Sequence, residues 1–181
     1  MITSMNPTIG GSSAVGESLP RWFITSSVGL TSGSFRASAI YLTAGTVINK
    51  ITFETYTTAG SSVTGTWAGI FTLSGTTATL VAATAQQSLS SMSATTLFTW
   101  PIATIASGAS STYTVPSTGI YYVGACVTAT TPPTVISNNS LALNTLSPYL
   151  AINLTGSTGP ASISTLYAAS AADTSVYYAL A

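Results

Sequence analysis

The chain has 181 residues, of which 46% are hydrophobic and 3% are charged, and its formal net charge is zero. A chain of that length buries about 70% of its unfolded surface on folding, so the abundant Ser, Thr and Gly do not make it a disordered polymer. Ordinary domains carry about 25% charged residues; here the three cations cannot form a nucleic-acid footprint, and no long-range field steers a partner.

The first 33 residues read as an extended arm. Gly10-Gly11-Ser12-Ser13 and the stretch from Gly29 to Ser34 are small and flexible, around a firmer patch at Leu19-Pro20-Arg21-Trp22-Phe23-Ile24. Leu19, Trp22 and Phe23 are the candidate interface residues of this arm: aromatic side chains anchor many interfaces. Packing of the same rings on their own chain is the alternative.

Strand patterns begin at Phe35. Residues 35–43 are β-rich and end at Ala44-Gly45. Over 48–57 the pattern alternates, with Asn49, Ile51, Phe53 and Thr55 on one face and Lys50, Thr52 and Glu54 on the other, as in a half-buried strand. Ala59-Gly60-Ser61-Ser62 reads as a turn. Residues 66–73 and 78–84 read as a hairpin with Gly75 near its tip. A polar connection over 85–94 leads to a short strand over 95–100, stopped by Pro101. A Ser/Gly loop at 107–111 precedes Tyr113-Thr114-Val115 and the turn Pro116-Ser117-Thr118-Gly119. Residues 120–130 are apolar on both faces and predict a central strand, closed by Pro132-Pro133. Beyond 134 the pattern weakens, with strands expected at 149–154 and 176–180 around a tip at 156–160. Helical periodicity is absent. The expected fold is an all-β antiparallel β-sandwich or jelly roll, with residues 1–33 as the arm and 34–181 as the body.

The residue inventory narrows the chemistry. With no histidine, Ser-His-Asp and Cys-His arrangements are excluded. One cysteine, Cys126, permits no intrachain disulfide, and its apolar run predicts a buried thiol. Three carboxylates, Glu17, Glu54 and Asp173, leave too few ligands for zinc and form no calcium loop. The reading is therefore non-enzymatic, with no cofactor and no metal. Thr, Ser and Gly interrupt every apolar stretch short of the about 18 residues a membrane helix needs, so no membrane partner is expected. The N-terminus lacks the basic and apolar regions of a signal peptide. Without such a leader, Asn138-Asn139-Ser140 and Asn153-Leu154-Thr155 read as chance glycosylation matches. One positive chemistry survives, the stacking of sugar faces on aromatic rings. Trp67, Phe71 and Tyr122 alternate along strands and read as core. Tyr149, Tyr167, Tyr177 and Tyr178, in the weakly patterned C-terminal part, are the candidate glycan contacts.

Sheets ordinarily guard exposed edges with Lys or other charges. Six charges in 181 residues supply little of that guard, so the edges are expected to be covered by loops or by neighbouring chains. A homo-oligomer is the resulting expectation.

Residues 40–134 resemble a β-sandwich module found in structural proteins of tailed bacteriophages, especially those of actinobacteria. The resemblance rests on Val47-Ile48-Asn49-Lys50-Ile51-Thr52-Phe53, on Trp67-Ala68-Gly69-Ile70-Phe71 with the Gly75 hairpin, and on Pro116 to Gly124 followed by Thr130-Thr131-Pro132-Pro133. It covers just over half the chain and carries no catalytic residues. It implies a virion protein assembled in the host cytoplasm: capsid decoration, or a minor tail or fibre component, often trimeric, in contact with capsid or tail proteins. The alternative is a carbohydrate-binding or receptor-binding module for host cell-surface glycan, and behind it an accessory carbohydrate module of a secreted enzyme.

Overall fold

The computed structural model describes residues 14–19, 24–105, 108–139, 149–154, 166–172 and 174–181, and every regular element among them is a strand. In chain order these are β1 (Gly16–Glu17), β2 (Ser26–Gly29), β3 (Phe35–Leu42), β4 (Val47–Ile48), β5 (Lys50–Glu54), β6 (Gly60–Ser74), β7 (Thr77–Thr84), β8 (Ser91–Met92) and β9 (Leu97–Ile105). They continue with β10 (Gly108–Ala109), β11 (Tyr113–Thr114), β12 (Gly119–Thr131), β13 (Thr134–Asn139), β14 (Ala151–Leu154), β15 (Leu166–Ala171), β16 (Thr174–Val176) and β17 (Ala179–Leu180). Their pairings are antiparallel, and the sheets pack as the all-β sandwich expected from the sequence.

One layer of the sandwich closes on itself. β6 pairs with β7, β7 with β15, β15 with β14, β14 with β3, β3 with β12, and β12 returns to β6. The interior of this six-stranded ring is filled in layers that the register defines. Phe35 and Trp67 stand either side of Cys126, and two residues along, Ala37 and Gly69 stand either side of Gly124. Another two residues along, Ala39 and Phe71 flank Tyr122. Large layers thus enclose a thin one. Phe35 meets Trp67 edge-on at 4.5 Å and Phe71 at 5.2 Å, while Tyr167 meets Phe71 edge-on at 5.6 Å. Such pairs each add about 0.5–1.5 kcal/mol beyond burial.

The second layer is β1-β17-β5 with the first half of β9, flanked by the β4–β11 pair and the β16-β13-β2 sheet. Ile51, Phe53, Trp100, Tyr178 and Leu180 from this layer meet Ile40, Ile70, Tyr121, Val123 and Val127 from the ring in the larger core. β12 explains itself here. Tyr122 and Cys126 fill the ring, while Tyr121, Val123, Ala125 and Val127 face the second layer, so a central strand between two cores has to be apolar on both faces.

Three local expectations change. Residues 59–62 are not a turn: Gly60 begins the 15-residue β6, and the irregularity there is a bulge against β12 near Val63, with Ser62 at φ 50°. Pro101 does not stop its strand. β9 pairs with β5 up to Pro101 and with β7 from Ile102, so the proline sits where the strand changes partner. Asn49 is exposed, unlike Ile51, Phe53 and Thr55. In the largest sheet, six strands close into the ring and the path ends in the two-residue β1 and β8, while the three-stranded sheet ends in β2 and β16.

Candidate functional site

The described part of residues 1–33 is tied to the body of its own chain. β1 pairs with β17 and β2 with β13, and Leu30 is buried in the larger core. Ser18 Oγ donates to the Val176 carbonyl at 2.9 Å and accepts from Tyr178 N at 2.8 Å. Leu19 packs on the small cluster of Ile136, Tyr177 and Ala179. Trp22 and Phe23 lie outside the described residues.

Of the candidate glycan contacts, three are corrected by burial. Tyr167 is 5% exposed and fills the ring beside Phe35 and Phe71. Tyr177, also 5% exposed, donates its hydroxyl to Glu17 Oε1 at 3.1 Å and so fastens β1. Tyr178 is 1% exposed in the larger core; its hydroxyl donates to the Arg36 carbonyl at 2.7 Å and accepts from Ala125 N at 3.0 Å. None of the three presents a ring face to a sugar. Tyr149 is half-buried against the ring interior, and its carbonyl accepts from the Tyr122 hydroxyl at 2.7 Å. Because the Tyr177 hydroxyl donates to a carboxylate, Tyr177→Phe is expected to lower stability by about 1.5–3 kcal/mol, read from the urea midpoint.

Two surfaces have functional character instead. The first is the mouth of the ring. Tyr41 and Ile120 are register partners on β3 and β12, in phase with the inward residues Phe35, Ala37 and Tyr122 but beyond the filled layers. They are 68% and 41% exposed, and Leu150, whose carbonyl bonds Ala39 N, is 39% exposed. With half-buried Leu73 and Tyr149 they make an apolar rim. Sequence reading missed Tyr41, although its place two residues before the Thr43-Ala44-Gly45 turn is the signal that would have found it.

The second surface is a polar groove of about 150 Å³ lined by Thr31, Ser34, Arg36, Asn153, Leu154 and Ser170. It lies nearer the start of β3, away from the mouth. Asn153 pairs with Arg36 on one side and Ser170 on the other, which sets three polar side chains in a row across β3, β14 and β15. Among the described residues no three His, Cys, Asp or Glu side chains gather as a metal site. The chain matches no protein-family model and no curated protein.

Proposed function

We propose that the chain is a non-enzymatic structural protein of a bacteriophage particle, carried on the exterior as a capsid-decoration, minor tail or fibre component. The observation that carries this reading is the apolar mouth of Tyr41, Ile120 and Leu150 on a body with almost no charge. Exposed apolar rims of this kind mark contact sites, and a surface without net charge offers no repulsion between copies. The segments behind the phage resemblance fall on β4 and β5, on the β6–β7 hairpin and on β12, the strands that build the two cores. Within the proposed 1–33 arm, Ser18 and Leu30 are packed on the body, and residues 1–13 lie outside the described residues.

Mass spectrometry of gradient-purified particles tests the location: the protein is expected at a fixed copy number, and its absence from particles overturns the virion reading. Light scattering behind a sizing column tests self-association. A homo-oligomer, with a trimer expected, should dissociate in Tyr41→Lys, because a charge at a desolvated apolar contact costs several kcal/mol on the order of its lost hydration. A monomeric wild type would remove the oligomer and leave attachment to other virion proteins. The rival glycan reading has lost Tyr167, Tyr177 and Tyr178 to the cores, and needs a different surface.

A further inference from the structure

We propose that the outer face of the β5–β9 pair binds an uncharged oligosaccharide. The site lies on the second layer and shares no residue with the ring mouth, so it stands or falls separately from the particle reading.

Side chains alternate along both strands. Ile51, Phe53 and Trp100 point into the larger core, which turns Lys50, Thr52 and Glu54 of β5 and Leu97 and Thr99 of β9 outward. The register sets Thr52 beside Thr99 and Glu54 beside Leu97. The pairing continues past the end of β5: Thr55 N donates to the Thr96 carbonyl at 3.0 Å and Thr95 N to the Tyr56 carbonyl at 2.8 Å. Tyr56, two residues after Glu54, is 44% exposed, and Leu97 is 60% exposed. From Lys50 to Tyr56 the face runs about 20 Å, which suits a row of sugar units better than a single ring.

The groups on this face suit hydroxyls. Glu54 only accepts hydrogen bonds and Lys50 only donates them. They stand about 13 Å apart along β5 with opposite signs, so the face as a whole favours neither an anion nor a cation. A ligand group that both donates and accepts satisfies each of them. The Thr52 and Thr99 hydroxyls lie 3.0 Å apart, and one bond between them leaves a proton and lone pairs for the ligand. Tyr56 and Leu97 supply apolar surface for the C–H face of a sugar ring. A protein partner fits less well, since charged residues are depleted in interface cores. The end of the face is also preorganised. Thr95 is exposed with φ at 49°, a conformation rare for a β-branched residue. Beside it the buried Thr55 hydroxyl donates to the Ser93 carbonyl at 2.7 Å and accepts from Thr96 N at 3.0 Å, which fixes the turn. A turn already fixed beside Tyr56 loses little freedom when a ligand binds.

The test is an amide-resolved NMR titration of the full chain with cellohexaose, maltohexaose and chitohexaose, and with hexagalacturonate as the acidic control. At least one neutral hexasaccharide is expected to shift the amides of Thr52, Glu54, Tyr56, Leu97 and Thr99. Tyr56→Ala should weaken it about tenfold, the upper part of what a stacked aromatic adds. Glu54→Gln, which keeps the shape and loses the charge, should weaken it less. Leu166→Ala, at an exposed residue of β15, should leave it unchanged. Binding indifferent to Tyr56→Ala would overturn the stacking platform, and tighter binding of hexagalacturonate would overturn the uncharged ligand. If Tyr56→Ala instead dissociates an oligomer in light scattering, the face is a contact between copies and the saccharide is overturned. No shift of these amides with any of the four would overturn the site.

Discussion

Gly124→Val is expected to cost about 3 kcal/mol or more in urea denaturation, at the upper end of what overpacked cores lose. Gly124 lies in the thin layer of the ring, between Ala37 and Gly69. A Cβ there would stand 2.8 Å from Ala37 Cβ, 3.2 Å from Ala37 Cα and 3.2 Å from the Arg36 carbonyl oxygen. Two of those three atoms are main chain of the neighbouring strand, so relief requires β3 and β12 to separate and weakens the ladder that joins them. Gly69 is the control. Its added Cβ would meet Leu80 Cδ1 at 2.8 Å and the Phe71 ring at 3.2 Å, all side-chain atoms. A leucine methyl can rotate away, so Gly69→Ala should cost about 1 kcal/mol and Gly124→Ala clearly more. Equal costs for the two alanines would show that the ring breathes enough to take either, and would sink the account of a thin layer fixed by backbone approach.

Much of the fold was legible in the sequence where the pattern was local. The alternation over 48–57 identified β5, and the two-faced apolar run over 120–130 identified β12 as central; both follow from side chains alternating with period two. Cys126 was legible as a buried thiol for the same reason. Ring closure was not, because it depends on pairings such as Tyr167 with Ala78 and Leu154 with Phe35, far apart along the chain. Hydroxyl residues also blur the pattern. Ser38, Thr55 and Thr84 are fully buried yet polar, and each has backbone partners: Ser38 Oγ accepts from Val176 N at 2.8 Å, Thr84 Oγ1 from Ala68 N at 3.0 Å, and Thr55 Oγ1 donates to the Ser93 carbonyl at 2.7 Å. A buried hydroxyl so paired escapes the desolvation penalty and reads as surface in a hydropathy pattern.

The C-terminal tyrosines were misread for a related reason. Residues 174–180 are buried throughout, without alternation, because they pass between two packed regions as β16 gives way to β17. An irregular stretch reads as surface, and here it is interior. The polar groove was hidden differently: Arg36, Asn153 and Ser170 become neighbours only once β3, β14 and β15 are in register.

Those buried phenols make high pH the severest challenge to the fold. Tyr113, Tyr122 and Tyr178 each have their ionisation pushed above the ordinary value near 10, in every case chiefly by burial. Neighbouring Tyr121 adds to the rise at Tyr113 and Tyr149 to that at Tyr122, while at Tyr178 the Ala125 N–H and the Arg36 charge oppose it. The unfolded chain releases these protons near pH 10 and the folded chain holds them. Their contribution is therefore complete below pH 10 and is lost as pH rises toward the folded values. Tyr178, the fully buried one, removes about 1.4 kcal/mol per pH unit in that window, and Tyr113 and Tyr122, nearer to solvent, act in the same direction by less, against a total of about 5–15 kcal/mol. The chain has no histidine, the side chain that ordinarily changes charge between pH 5 and 8. Stability should accordingly stay level through neutral pH and fall progressively as pH rises above 10. Urea midpoints against pH, followed by tryptophan fluorescence, measure this alkaline loss, and tyrosinate absorbance measures the ionisation. The buried class should ionise only together with unfolding. If all nine tyrosines titrated smoothly near pH 10 while the circular dichroism of the sheets persisted, the three phenols would have to be open to water, and the packing of the two cores around them would be wrong.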